Sequence, residues 1–220
     1  MKRAMKLINT ALLAILCFFS FSTAAELNQS PFSIDENTKM IIEKYVVQKG
    51  DTLSEIGYKY KVSIKELCEL NDLKSQMIYI GQKLLIPLKP MKPPSERSVD
   101  NGNKEDSQEI IRRGDKYRNQ QQYQKAIEAY REALELDPYN IDAYYGIGYS
   151  NFKMGLYDKS MESFITAVRI DPYDAQSHYN LGLFYFLIKK KGPAFEQYKI
   201  LKVLNENYAT RLLMYVDSLR

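Results

Sequence analysis

The chain has 220 residues, of which 45% are hydrophobic, and a formal net charge of +4 at pH 7. Residues 1–25 contain three basic residues and no acidic residue, so the remaining chain carries a charge of only +1. This near-neutral balance argues against strong electrostatic binding to nucleic acid or to an anionic membrane surface. The length allows one or two domains.

The N-terminus has the three-part organisation of a secretory signal peptide. Residues 1–6 are basic, residues 11–21 are apolar, and the small residues 22–25 follow them. The apolar run is short for a membrane span. We therefore expect residues 1–25 to direct export and to be removed. The alternatives are that they stay as an uncleaved membrane anchor or that Cys17 is lipidated, although Leu16 is a poor fit to lipoprotein processing.

Two compact regions follow the export signal. Residues 26–44 are polar and aperiodic, which predicts a short tether. In residues 45–87, aromatic and β-branched residues begin a strand, and the pairs Thr52/Glu55 and Ser63/Glu66 have the spacing of helix capping boxes. A second apolar strand ends at Pro87. The local signals therefore predict the order strand, helix, helix, strand.

The whole of this segment, YVVQKGDTLSEIGYKYKVSIKELCELNDLKSQMIYIGQKLLIP, resembles the LysM module. The resemblance implies that residues 50–54 and 77–82 form two loops that flank a shallow groove for polymers of N-acetylglucosamine, either peptidoglycan or chitin. Ile80 stands where many members carry proline. The expected glycan-binding residues are Gly50, Asp51, Thr52, Leu53, Ser54, Met77, Ile78, Tyr79 and Ile80.

Several of these residues also have a purely structural interpretation. Gly50, Asp51 and Thr52 are the residue types that a turn and a helix cap need without any sugar. Leu53 and Ile78 are of the type that fills a core. Both interpretations remain open at the level of the sequence.

The second half of the chain is repetitive and helical. Residues 88–107 combine prolines with a polar run, which predicts an inter-domain linker. Beyond them, Asp137-Pro138 and Asp171-Pro172 lie 34 residues apart, the period of tetratricopeptide (TPR) repeats, which are pairs of antiparallel helices. Residues 108–220 therefore resemble three TPR repeats, at about 107–140, 141–174 and 175–206, followed by a capping helix over residues 208–219.

The predicted fold is thus a small α+β LysM-type module joined to an all-α helical-repeat domain. TPR repeats bind partner proteins along the face formed by the first helix of each pair, although residues on that face also pack between repeats. The expected partner-binding residues are Asp115, Arg118, Tyr145, Tyr149, Phe152, Tyr179 and Phe186.

The chain carries no recognisable catalytic motif. His178 is its only histidine, and no Cys–His pair, metal-ligand cluster or glycine-rich phosphate loop is present. We expect no catalysis, no metal and no cofactor. The sequence predicts an exported adaptor of the periplasm or cell envelope that binds peptidoglycan through the first module and a protein partner through the repeats. The alternatives are a TPR scaffold whose LysM-like unit does not bind glycan, or a chitin-binding protein.

Overall fold

A computed structural model describes residues 30–35, 37–89 and 101–218 of the chain. The predicted export signal lies outside these residues. The strands are β1 (Phe32–Ile34), β2 (Ile41–Val46) and β3 (Lys83–Pro87). The helices are α1 (Leu53–Tyr60), α2 (Ile64–Leu70), α3 (Asn101–Asn119), α4 (Tyr123–Leu136), α5 (Ile141–Lys153), α6 (Tyr157–Ile170), α7 (Ala175–Leu187), α8 (Lys191–Leu204) and α9 (Glu206–Asp217).

The described residues form two compact units. Residues 101–170 make up the first unit, with the helix pairs α3/α4 and α5/α6. Residues 30–89 and 171–218 make up the second unit, which holds the small module, the helix pair α7/α8 and the final helix α9. The predicted helical-repeat architecture is therefore present as three successive helix pairs.

The small module has the predicted order of strand, helix, helix and strand, with one additional strand. β2 lies between β1 and β3 and is antiparallel to both, so that Tyr45 is paired with Leu84. Thr52 and Ser63 begin α1 and α2 with complete capping boxes, as their spacing predicts. The buried apolar side chains of the module include Leu53, Ile56, Leu67, Leu84 and Ile86.

The prediction of a tether over residues 26–44 is wrong for the described part of that range. β1 and most of β2 lie within it, and Phe32 is fully buried. Asp35 closes the hairpin because its Oδ1 accepts hydrogen bonds from the backbone nitrogens of Asn37 and Thr38 at 3.0 and 2.7 Å. These bonds, those from Thr38 foremost, lower the pKa of Asp35. A strand of three residues is too short to show the alternation that identifies strands in a sequence.

The predicted linker over residues 88–107 is too long at both ends. Leu88 is buried, and its backbone nitrogen donates to Ile41 O at 2.9 Å. This bond continues the pairing of β3 with β2 beyond Pro87. At the other end, α3 begins at Asn101. Residues 101–107 contain no proline, so a helix that is stabilised by its later apolar residues can continue through them.

Each of the first two repeats packs one aromatic ring against a glycine of its own first helix. A Cβ added to Gly114 would lie 2.7 Å from Tyr130 Cε1, and one added to Gly148 would lie 2.9 Å from Phe164 Cε1. The Tyr130 ring also contacts the next repeat, where a Cβ on Gly146 would lie 2.3 Å from its Cζ. Tyr130 is therefore wedged between α3 and α5 at two positions that only glycine fits.

The third repeat departs from this arrangement. A Cβ added to its glycine, Gly182, would lie 2.4 Å from a methyl carbon of Leu212 in α9 and 3.2 Å from Gln197 Cβ. The predicted terminal helix is thus present, from Glu206 to Asp217, and packs against both α7 and α8. Because Leu212 and Ala209 are buried there, α9 covers apolar surface that a stack of repeats otherwise leaves exposed at its end.

Candidate functional site

The two loops that the sequence assigns to glycan binding lie side by side in the small module. Gly81 N donates to Val47 O at 2.8 Å, and Val47 N donates to Gln82 O at 2.9 Å, so the second loop is tied to the chain just before the first. Gly50 and Gly81 have φ angles of 96° and 83°, a conformation that favours glycine. We refer to residues 50–54 and 77–82 together as the loop groove.

The first loop uses most of its side chains to hold its own shape. Asp51 Oδ2 accepts hydrogen bonds from Tyr45 Oη and from Gln48 N, both at 2.6 Å. Thr52 caps α1, and Leu53 is only 2% exposed. For these side chains the structure therefore favours the structural interpretation, although Thr52 and Ser54 stay exposed to solvent.

The second loop is the part of the groove that presents apolar side chains. Met77, Tyr79 and Ile80 are 65%, 65% and 71% exposed, whereas Ile78 is half-buried. Gln82 stiffens the loop, since its Oε1 accepts from Tyr79 N at 3.0 Å and its own backbone nitrogen donates to Tyr79 O at 2.9 Å. These bonds supply rigidity at a loop that lacks proline. The predicted glycan-binding residues with exposed side chains are Thr52, Ser54, Met77, Tyr79 and Ile80.

A second candidate site lies in the first compact unit, between α3, the turn that follows it, and α5. It is a pocket of about 440 Å³. We call it the tyrosine pocket; its lining residues are Arg118, Asn119, Gln121, Tyr123, Tyr145, Tyr149 and Lys153. Three of the seven predicted partner-binding residues, Arg118, Tyr145 and Tyr149, are thus brought together.

Cations lie over the aromatic rings of this pocket. The guanidinium carbon of Arg118 is 5.8 Å from the Tyr145 ring centre and 5.6 Å from that of Tyr149. Lys153 Nζ is 5.4 Å from the Tyr149 ring centre. Burial raises the pKa of Tyr145, although Arg118 opposes this, so its phenol stays neutral. The pocket therefore offers hydrogen-bond donors and ring faces, the groups that bind an extended peptide with carbonyl or carboxylate acceptors.

Asp115 contributes to the pocket by positioning its neighbours. Its Oδ1 accepts from Tyr130 Oη at 2.7 Å and lies 3.1 Å from Arg118 Nη2. The arginine of the pocket lining is therefore anchored by a carboxylate that itself accepts a hydrogen bond from Tyr130. This ion pair restricts the orientation of the guanidinium, and the carboxylate partly offsets its positive charge.

The structure does not bring the other three predicted partner-binding residues into the tyrosine pocket. Phe152 packs against Tyr157, with ring centres 5.7 Å apart. In the second unit, Tyr179 stacks on Tyr208 of α9 at 4.9 Å. Phe186 likewise contacts Tyr215 of α9 at 5.2 Å. The final helix therefore covers the face of the third repeat that the sequence assigns to a partner.

Sequence reasoning missed four residues of the tyrosine pocket: Asn119, Gln121, Tyr123 and Lys153. A signal for one of them was available, because Lys153 lies four residues after Tyr149 and so shares its helix face. The other three lie at the end of α3, in the turn and at the start of α4. The sequence prediction considers only the face formed by the first helix of each pair, so it does not include residues of the turn or of the second helix.

The described residues give no indication of a metal site or of a membrane span. Residues 30–35, 37–89 and 101–218 hold no group of three or more His, Cys, Asp or Glu that is arranged to bind a metal ion. None of the helices within the same ranges is both long enough and apolar enough to cross a membrane.

Comparison with protein families supports both halves of the sequence interpretation. Residues 45–87 match the LysM domain family. Residues 114–155 match a TPR repeat family, and residues 141–174 match a tetratricopeptide repeat family. The LysM match has the boundaries that the sequence predicts, and the two repeat matches fall in the first compact unit and the residues just after it.

Individual relatives share only part of their length with this chain. A probable N-acetylmuramidase of Lactococcus lactis subsp. cremoris is 50% identical over 42 residues, which cover 19% of this chain and 10% of the relative. The probable endopeptidase p60 of Listeria monocytogenes is 37% identical over 62 residues, which cover 28% of this chain and 12% of that protein.

Among solved structures, the TPR domain of Arabidopsis OM64 aligns with 52% of this chain and 97% of its own, at 18% identity and a TM-score of 0.47. LysM domains in general bind peptidoglycan, and TPR domains in general mediate protein–protein interaction. The chain therefore carries a LysM domain at residues 45–87, followed by tetratricopeptide repeats at residues 114–174.

Proposed function

We propose that this protein is an exported, non-catalytic adaptor of the bacterial cell envelope. In this proposal the loop groove binds N-acetylglucosamine-containing glycan of peptidoglycan, and the tyrosine pocket binds a segment of a protein partner. Two of the partially matching relatives are a probable muramidase and a probable endopeptidase, which supports a location at the wall. The periplasm or the wall-facing envelope is the compartment that we infer.

The observation that carries the glycan arm is the exposure of Met77, Tyr79 and Ile80 on a loop that is internally hydrogen-bonded. Their apolar surfaces suit the N-acetyl methyl group and the C–H faces of a sugar, and the loop backbone can hydrogen-bond to hydroxyl and acetamido groups. A single shallow groove of this kind has a Kd on the order of micromolar to millimolar. A polymer with many epitopes then strengthens retention if several copies of the protein bind to it.

Replacing Tyr79 by alanine is expected to weaken binding of residues 26–220 to purified peptidoglycan sacculi by about tenfold to thirtyfold. Covering roughly 60–80 Å² of the ring at about 25 cal/mol/Å² is worth about 1.5–2 kcal/mol. Co-sedimentation of residues 26–220 at low and moderate salt measures the change. Tyr58→Ala is the matched control, because Tyr58 lies in the same module and is 91% exposed, yet it belongs to α1 and not to the loop groove.

The outcomes of this experiment separate the proposed role from its alternatives. If Tyr58→Ala weakens binding as much as Tyr79→Ala does, the loop groove is not the binding surface. If the unmodified protein pellets with chitin and not with sacculi, the glycan is chitin. If it pellets with neither polymer, the protein is a TPR scaffold whose LysM domain has a structural role.

The tyrosine pocket supports the protein-partner arm because it combines two cations with half-buried tyrosine rings. A photo-crosslinking amino acid at Tyr149 is expected to capture a specific envelope protein. The same amino acid at Glu135, an exposed position on α4 outside the pocket lining, serves as the control. Arg118→Ala should reduce the crosslink at Tyr149 about tenfold, since hydrogen bonds to charged groups contribute about 1.5–3 kcal/mol. Equal capture from both positions would contradict the assignment.

A further inference from the structure

A buried chain of hydrogen-bonded side chains joins the small module to the third repeat. Gln197 of α8 donates from Nε2 to Ser30 Oγ at 2.7 Å. Gln197 Oε1 lies 2.7 Å from His178 Nδ1, and His178 Nε2 lies 2.8 Å from Pro172 O. Gln197 and His178 are fully buried, and Ser30 is 4% exposed. Ser30 is therefore held by the repeat through a contact that excludes water.

The same contact covers the edge of the sheet. β1 is an edge strand and packs against α8. Ser30 Oγ donates to Phe32 O at 3.0 Å and accepts from Phe32 N at 3.2 Å. The Phe32 ring is fully buried and meets the His178 ring edge-on, with ring centres 6.2 Å apart. We call residues 30–34 the docking segment.

The polar residues that receive the docking segment are particular to the third repeat. At the period of 34 residues, His178 corresponds to Tyr144 and Ile110 in the other repeats. Gln197 corresponds by the same spacing to Ser163 and Ala129. Burying a histidine and a glutamine is costly unless each finds a hydrogen-bond partner. Ser30, which lies outside the repeat, accepts the hydrogen bond of the Gln197 amide, and Gln197 in turn contacts His178. The docking segment therefore accounts for a buried glutamine and a buried histidine in the third repeat.

We propose that the third repeat is an intramolecular receptor for the docking segment. The LysM domain and the α7–α8 helix pair then open as one cooperative unit, and this surface of the repeat is closed to other partners. Docking leaves the loop groove accessible, because Met77, Tyr79 and Ile80 stay exposed in the docked form. A glycan held by the loop groove is therefore coupled to the third repeat through packed side chains and not through a flexible tether. The proposal does not depend on which glycan is bound.

Amide hydrogen exchange of the full chain, measured by mass spectrometry, tests the proposal through reciprocal effects. Ser30→Ala leaves the Gln197 amide without its acceptor and is expected to accelerate exchange in α7 and α8 by about tenfold. Gln197→Ala is expected to accelerate exchange in β1 by a similar factor, although the two positions lie 167 residues apart. The effect of each substitution is thus measured in the segment on the other side of the contact.

Matched controls separate docking from general destabilisation. Ser33→Ala removes the other serine of the docking segment, and its side chain points to the opposite side of the strand from Phe32. Lys202→Ala removes an exposed side chain of α8. Both controls are expected to change exchange in the opposite element less than twofold. The proposal is overturned if Ser30→Ala alters exchange only within residues 30–89 and not in α7 or α8. This test does not depend on whether Gln197→Ala folds.

Discussion

Replacing Gly146 by alanine is expected to lower the free energy of unfolding of the first two repeats by about 1–3 kcal/mol, the usual cost of overpacking a core. The new Cβ would lie 2.3 Å from Tyr130 Cζ and 2.4 Å from Cε2. The ring cannot withdraw, because its other side meets Gly114. Alanine is the better helix former by about 1 kcal/mol, so the net loss of stability is a lower bound on the cost of the steric conflict.

Urea titration followed by circular dichroism measures this change, because the chain contains no tryptophan for fluorescence. Gly192→Ala is the matched control, since an added Cβ there meets nothing within 4 Å and the position lies in the first turn of α8. We expect that control to change the free energy of unfolding by less than about 1 kcal/mol, because the helix propensity of alanine is opposed by the proline that follows it. Adding Tyr130→Leu to Gly146→Ala should recover part of the loss, because residues in contact couple non-additively. If the losses of stability from the two substitutions were strictly additive, that would contradict a tight contact between Tyr130 and Gly146.

Acidification below about pH 6.5 is expected to destabilise the second compact unit through His178. Burial lowers the pKa of this histidine from its ordinary value of 6.5, although its hydrogen bonds to Gln197 and Pro172 O oppose the effect. The unfolded chain therefore takes up a proton first as the pH falls. The stabilisation is complete above the unfolded pKa and is lost as the pH falls towards the folded one, with a slope of at most about 1.4 kcal/mol per pH unit.

The comparison variant for this prediction is His178→Gln, which keeps hydrogen-bonding capacity and does not titrate. Urea titrations at pH 7 and at pH 5 should show a larger loss of stability for the unmodified protein than for the variant. An equal loss would mean that the carboxylates facing the ring, and not the imidazole, control the acid response. The groups that surround His178 are Phe32, Pro172, Asp171, Asp174 and Gln197.

The parts of the fold that the sequence predicts correctly are those with local signals. The capping pairs at Thr52 and Ser63 and the 34-residue period each report a structure formed within a few dozen residues. The burial of Phe32 has a different origin, because the ring is covered by His178 from the far end of the chain. No pattern within residues 26–44 contains that information, so the sequence alone suggests a tether there.

The same distinction applies to the candidate sites. Arg118, Tyr145 and Tyr149 follow one helix-face pattern, and they do meet in the tyrosine pocket. Tyr179 continues that pattern into the third repeat, yet Tyr208 and Arg211 of α9 lie over its ring at 4.9 and 5.1 Å. Whether a patterned residue is available to a partner depends on which later helix folds back over it, and this is a property of the tertiary structure.

The docked position of β1 also bears on how the protein avoids aggregation. An uncovered edge strand offers unpaired backbone groups to the strands of other molecules. Here the Ser30 hydroxyl occupies both backbone groups of Phe32 that face away from β2, and α8 lies against the same edge. If docking were lost, the chain would expose an unpaired edge beside a large apolar ring. The contact that holds β1 to the third repeat therefore also blocks strand pairing between copies at this edge of the sheet.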